Sequence, residues 1–259
     1  MAYETLKLEF DGPVATITLN RPEKRNAISP QMIDDVLAAL GELETSPSRI
    51  GILTGAGKAY CAGMDLEVLR NISSQSPAQN LQESRRMAQL FRRMWSFPKV
   101  LIAAVNGPAL AGGCALATLS DFTLAVPEAT FGYTEVRIGF VPAIVSVFLK
   151  RRVSEAVARD LILTGRVFPA TEAQKLGLVK EVVAADALLA RAHEIAATLL
   201  ANSPASLVAS KRLLVESEEP AIDREISLAI EANAAVRSTP DFKEGVTSFL
   251  EKRKPHWSS

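Results

Sequence analysis

The sequence predicts an α/β protein whose later part passes into helices alone. Short β-rich runs alternate with helix-period segments as far as about residue 130. From about residue 186 onward only helical periodicity remains. The chain has 259 residues, 48% of them hydrophobic, enough for one large core with an appendage. Strands that alternate with helices imply parallel pairing through crossover connections.

Leu6, Leu8 and Phe10 alternate with Lys7 and Glu9, Asp11-Gly12 signals a turn, and residues 14–19 form a second β-rich run, which together predict a hairpin. Ser29-Pro30 opens a helix, with Ser29 as N-cap and Pro30 at its first position. Met32, Ile33, Val36, Leu37, Leu40 and Leu43 follow at helical spacing. Residues 50–54 read as a buried strand and 55–63 as a Gly/Ala-rich loop. The polar stretch 71–80 reads as a mobile surface loop, followed by a helix that reaches about Phe97 and stops at Pro98. Residues 100–105 and 122–126 are strands, and 188–200 a helix. No internal repeat or low-complexity tract interrupts this order.

Composition narrows the function. Lys plus Arg and Asp plus Glu number 29 each, so no strongly electrostatic nucleic-acid or membrane partner is expected. No apolar run approaches the roughly 18 residues of a membrane span, and the opening MAYETLKLEF lacks the pattern of a signal peptide. Cys61 and Cys114 form neither a disulfide framework nor a Cys-X-X-Cys site. A cytoplasmic protein with free thiols is expected. His193, within a helix, and His256, in the tail, have no partner motif, so neither metal nor triad chemistry is expected.

Two Gly-rich turns carry the chemical signal. Lys58-Ala59-Tyr60-Cys61-Ala62-Gly63-Met64-Asp65 and Asn106-Gly107-Pro108-Ala109-Leu110-Ala111-Gly112-Gly113-Cys114 each follow a buried strand, and the second runs into an apolar helix over 115–119. Such turns leave backbone N–H groups free and let a ligand approach closely. Two N–H groups aimed at one point make an oxyanion hole, to which a helix dipole adds positive potential. Taken singly, each is as readily a plain tight turn.

With these turns, Asn20-Arg21-Pro22-Glu23-Lys24-Arg25-Asn26-Ala27, Phe131-Gly132-Tyr133-Thr134-Glu135, Leu163-Thr164-Gly165, Gly177-Leu178-Val179 and the tail Phe249-Leu250-Glu251-Lys252-Arg253-Lys254-Pro255 make the chain resemble the enoyl-CoA hydratase/isomerase (crotonase) family over nearly its whole length. The resemblance implies a spiral of ββα units over residues 1–195 and a C-terminal helical oligomerisation region over 196–259, assembled as a trimer or a hexamer. It implies an acyl-CoA thioester substrate, with coenzyme A part of that substrate and no separate cofactor. It places oxyanion N–H groups at Ala62 and Gly112. An adenine-binding loop falls around residues 61–66, that is Cys61, Ala62, Gly63, Met64, Asp65 and Leu66. Lys24 and Arg25 are candidates for the CoA phosphates, while the basic tail Lys252-Arg253-Lys254 reads either as a solvated end or as part of that phosphate site. Tyr133 and Arg137 are candidates for the acyl pocket.

One departure decides the chemistry expected. Hydratases of this family use two glutamates. The later one matches Glu135, but the earlier position holds Ala115. Hydration divides naturally between two carboxylates, whereas a single carboxylate can move one proton along an allyl system. Double-bond isomerisation is therefore the expected reaction. The alternatives are a hydratase or related lyase whose second acid comes from elsewhere, such as Glu67 or Glu83, and a non-catalytic acyl-CoA binder. Apolar stripes at Ile195, Leu199 and Leu200 and at Ile222, Ile226, Leu228 and Ile230 read either as core or, with the resemblance, as assembly surfaces.

Overall fold

The computed structural model describes residues 3–72 and 75–258. Strands β1 (Leu6–Asp11) and β2 (Val14–Leu19) form the expected hairpin, with Leu6 opposite Leu19 and Asp11 opposite Val14. Helix α1 (Pro30–Thr45) begins as its sequence dictates: the Met32 amide donates to Ser29 Oγ at 3.2 Å, and Met32, Ile33, Val36, Leu40 and Leu43 face the core. Strand β3 (Ile50–Gly55) follows, then α2 (Leu66–Ile72) and α3 (Pro77–Trp95).

Strand β4 (Val100–Val105) is buried at every residue, as an apolar run covered on both faces should be. Next come β5 (Ala109–Leu110), α4 (Gly112–Thr118), β6 (Phe122–Ala125), β7 (Thr130–Gly132), α5 (Ala143–Leu149) and α6 (Glu155–Thr164). Then β8 (Phe168–Pro169), α7 (Ala170–Lys175) and β9 (Glu181–Val182) lead into α8 (Leu188–Leu200), α9 (Pro204–Glu216), α10 (Glu219–Val236) and α11 (Pro240–Leu250). The main sheet runs β1-β2-β3-β4-β6-β9, parallel except for the β1 edge. A second sheet, β5-β7-β8, stands apart from it. Helix α10 packs on α3 and α5, while α11 packs on α2 and on the short 3-10 helix Glu135–Ile138, so the C-terminal helices fold back over the core.

Several expectations need correction. The stretch 71–80 is not one loop: α2 continues to Ile72 and α3 starts at Pro77, while residues 73 and 74 lie outside the described residues. The overlooked signal was a capping box, Ser76 with Gln79, followed by Pro77 in the first turn. Residue 195 lies inside α8 rather than between elements. Of the apolar stripes, Ile195, Ile222 and Ile226 are core residues of this chain, Leu199, Leu200 and Ile230 are partly buried, and Leu228 is exposed.

Candidate active site

A ladder of backbone contacts gathers the motifs. The Ile28 amide donates to Gly63 O at 2.7 Å and the Asp65 amide to Ile28 O at 2.9 Å. The Cys61 amide donates to Pro108 O at 3.1 Å and the Leu110 amide to Cys61 O at 3.0 Å. The Ala111 amide then reaches Gly132 O at 2.7 Å, where β5 pairs with β7. Segments far apart in sequence thus lie side by side and deliver the two Gly-rich turns to Glu135. Gly113 is needed for this approach, because a Cβ there would stand 2.1 Å from the Cys61 carbonyl oxygen.

The first motif is locked by its own polar groups. Arg21 donates to Asp65 Oδ2 at 2.7 Å, and the Asn26 amide group reaches Ala56 O at 2.9 Å and Ala59 O at 2.8 Å. Asp65 also accepts from the Glu67 amide at 2.9 Å, fixing the start of α2. Burial would raise the Asp65 pKa, but these donors and the Arg21 and Lys24 charges hold it below its ordinary value.

The free amides are not the pair expected at Ala62 and Gly112. The Ala62 amide is already committed to Arg25 O at 3.0 Å. Among the described residues, no acceptor meets the amides of Met64 and Gly112, and both residues line the same cavity. Gly112 opens α4, whose first amides have no intrahelical acceptor. Met64 and Gly112 are therefore the free pair. Ala111, just before, is held at φ 48° and ψ −122°, a strained conformation for an L-residue that aims the following amide.

Glu135 begins the 3-10 helix that α11 covers. Its Oε2 is shielded from solvent and has no hydrogen-bond partner among the described residues. Desolvation raises its pKa to about 7, opposed only by a bond from its own backbone amide. Ala115, at the position of the family's other glutamate, is fully buried in α4. Cys61 and Cys114 are buried free thiols, each pushed by burial up to about 12, and are too poorly ionised to act as nucleophiles.

A cavity of about 700 Å³ joins these groups. Of the residues singled out from sequence, Lys24, Arg25, Ala62, Met64, Leu66, Gly112, Glu135 and Lys252 line it. Cys61, Gly63 and Asp65 do not, nor does Tyr133, which is fully buried with its hydroxyl 2.6 Å from Thr118 Oγ1. Arg137 lies outside on the surface. Glu67 is exposed and paired with Lys24 at 3.1 Å, whereas Glu83 does line the cavity. Arg253 is tied to Glu244 and Glu251 and leaves Lys252 as the tail's contribution. Sequence reading missed Asn233 and Arg237, whose place on this cavity depends on the packing of α10.

The family profile described as Enoyl-CoA hydratase/isomerase matches residues 9–259. The chain belongs to this family. A crotonyl-CoA hydratase of Syntrophomonas wolfei is 36% identical, with 100% of both chains covered. A Thermus thermophilus relative with a provisional enoyl-CoA hydratase name is 44% identical over 95% of this chain and 98% of its own. A crystal structure of an enoyl-CoA hydratase/isomerase from Xanthobacter autotrophicus covers 100% of both chains at 31% identity, with a TM-score of 0.89. The crotonase-like fold expected from the sequence is thus the fold observed. Among the described residues no cluster able to hold a metal ion occurs, and no helix is long and apolar enough to cross a membrane.

Proposed function

We propose that this family member binds an enoyl-CoA thioester and shifts its double bond, with Glu135 as the single acid and base. The observation that carries the reading is a glutamate whose Oε2 is shielded from solvent and unpartnered among the described residues, in one cavity with two free amides, while the position of the family's other glutamate holds Ala115. The thioester oxygen rests on the amides of Met64 and Gly112. Glu135 takes the proton from the carbon beside the thioester, the resulting enolate charge is held by those amides, and the same proton returns two carbons away. A pKa of about 7 leaves the carboxylate available as a base and its conjugate acid available as a donor at neutral pH. Lys24, Arg25 and Lys252, on the cavity wall, suit the phosphates of coenzyme A.

Hydration is the second reading. It is supported by Glu83, a further carboxylate on the same cavity, and by the names of the relatives. Residues 196–259 are the proposed assembly region. Helix α9 buries none of its residues and exposes Leu213 and Leu214, a surface suited to a homotrimer or hexamer in the cytoplasm.

Initial rates of isomerisation of a 3-enoyl-CoA and hydration of the matching 2-enoyl-CoA test the reading. Isomerisation is expected to be faster. Faster hydration overturns it in favour of the second reading, and no turnover of either thioester leaves a binder without catalysis.

A further inference from the structure

The cavity changes character along its walls. On α3, Phe91, Met87 and Glu83 all line it, and these positions span about 12 Å of helix from an aromatic to a charged side chain. Helix α10 and the residue after it bring Asn233 and Arg237 to the charged end.

Arg237 is only 3% exposed, and its donors are poorly used. Nη1 reaches Glu83 Oε2 at 3.5 Å, Nη2 donates to Asn233 Oδ1 at 3.1 Å, and the buried Nε has no acceptor among the described residues. The guanidinium lies 5.4 Å from the centre of the Phe140 ring, and the Phe140 amide donates to the carbonyl of Glu135 at 3.0 Å. Arg237 therefore stands over the ring of the residue that closes the Glu135 turn, and Arg237 and Glu135 line the one cavity.

A guanidinium offers five donors in a planar fork, and burying part of that fork unmatched is costly. Glu83 does not complete it: the contact is long and made by a single atom pair, and the same carboxylate is shared with Gln75 Nε2 at 2.9 Å. The missing partner has the shape of a carboxylate, which binds such a fork through two parallel bonds. Solvated phosphates of coenzyme A do not suit a cation this deep. The ligand's own acyl tail does.

We propose that the acyl chain accepted here ends in a carboxylate held by Arg237, so that the substrate is a short dicarboxylic acyl-CoA. The inference rests on the acyl-CoA reading above. Its test uses adipyl-CoA and hexanoyl-CoA, saturated thioesters that neither isomerisation nor hydration consumes, with dissociation constants measured by calorimetry. The wild type is expected to bind adipyl-CoA at least about tenfold more tightly, and Arg237→Met to abolish that preference while still binding hexanoyl-CoA. Arg237→Lys, which keeps the charge and loses the fork, is expected to retain part of the preference and serves if the methionine variant does not fold. Equal or tighter binding of hexanoyl-CoA by the wild type overturns the proposal, as does a preference that survives Arg237→Met. If both thioesters bind equally, only this proposal falls. If neither binds, the acyl-CoA reading falls with it.

Discussion

Replacing Glu135 by Gln should stabilise the protein at alkaline pH and leave it unchanged in acid. In the folded chain the Glu135 pKa is raised from 4.5 to about 7 by desolvation. Below about pH 4.5 the carboxyl is protonated in both the folded and the unfolded chain, so it makes no difference to stability. Between 4.5 and about 7 the unfolded chain ionises first, and the folded state loses stability progressively. Above that the cost is complete. At about 1.4 kcal/mol per pH unit it comes to about 3 kcal/mol, an upper bound because the cavity is open to water. Glutamine keeps the shape and cannot ionise, so the variant escapes the cost. Urea unfolding of both proteins from pH 4 to pH 8.5 should show curves that coincide in acid and separate towards the full difference above neutrality. A difference that is constant across the range, or a wild type that is the more stable protein at pH 8, refutes the buried-carboxyl account. The same titration should govern the rate, with kcat/KM rising through about pH 7 as the base form appears.

Two further substitutions test the geometry of the turns. Gly113→Ala places a methyl 2.1 Å from the Cys61 carbonyl oxygen, and since that atom is backbone the turns must part. A loss of about 2–3 kcal/mol in stability and at least about 100-fold in kcat/KM is expected, read by urea unfolding and initial rates; wild-type values for both would mean that the turns need not touch. Ala111→Gly relieves the strain at φ 48° and ψ −122°, worth about 1–3 kcal/mol, against an entropic cost of about 0.5–1 kcal/mol. A net gain of about 1 kcal/mol is expected in thermal unfolding, and a lowered Tm would contradict the strain.

What could be read beforehand was local. The Asp11-Gly12 turn, the Ser29 cap with Pro30 and the unbroken apolar run of β4 each act within a few residues, so their signals survive in the sequence. That Glu135 and Gly112 share a site was also legible, because the motifs hold them at fixed places, and both line the cavity. The small strands β5, β7 and β8 were not, since two or three residues cannot display a period. Choosing Met64 over Ala62 depends on where the carbonyl of Arg25 lies, a contact made across nearly forty residues of chain. Tyr133 looked like a pocket residue because it neighbours Glu135, yet it turns inward to Thr118. Arg237 carries no local signal, and its meaning comes only from the packing of α10 on α3.

The central claim is that Glu135 moves a proton at the carbon beside a thioester whose oxygen sits on the amides of Met64 and Gly112. It is tested most directly by NMR of saturated hexanoyl-CoA incubated with the protein in D₂O, which follows exchange at that carbon without requiring either full reaction. The account predicts that the wild type exchanges the α-proton for deuterium and that Glu135→Gln, still binding the thioester, does not. Exchange at the wild-type rate in Glu135→Gln would contradict it.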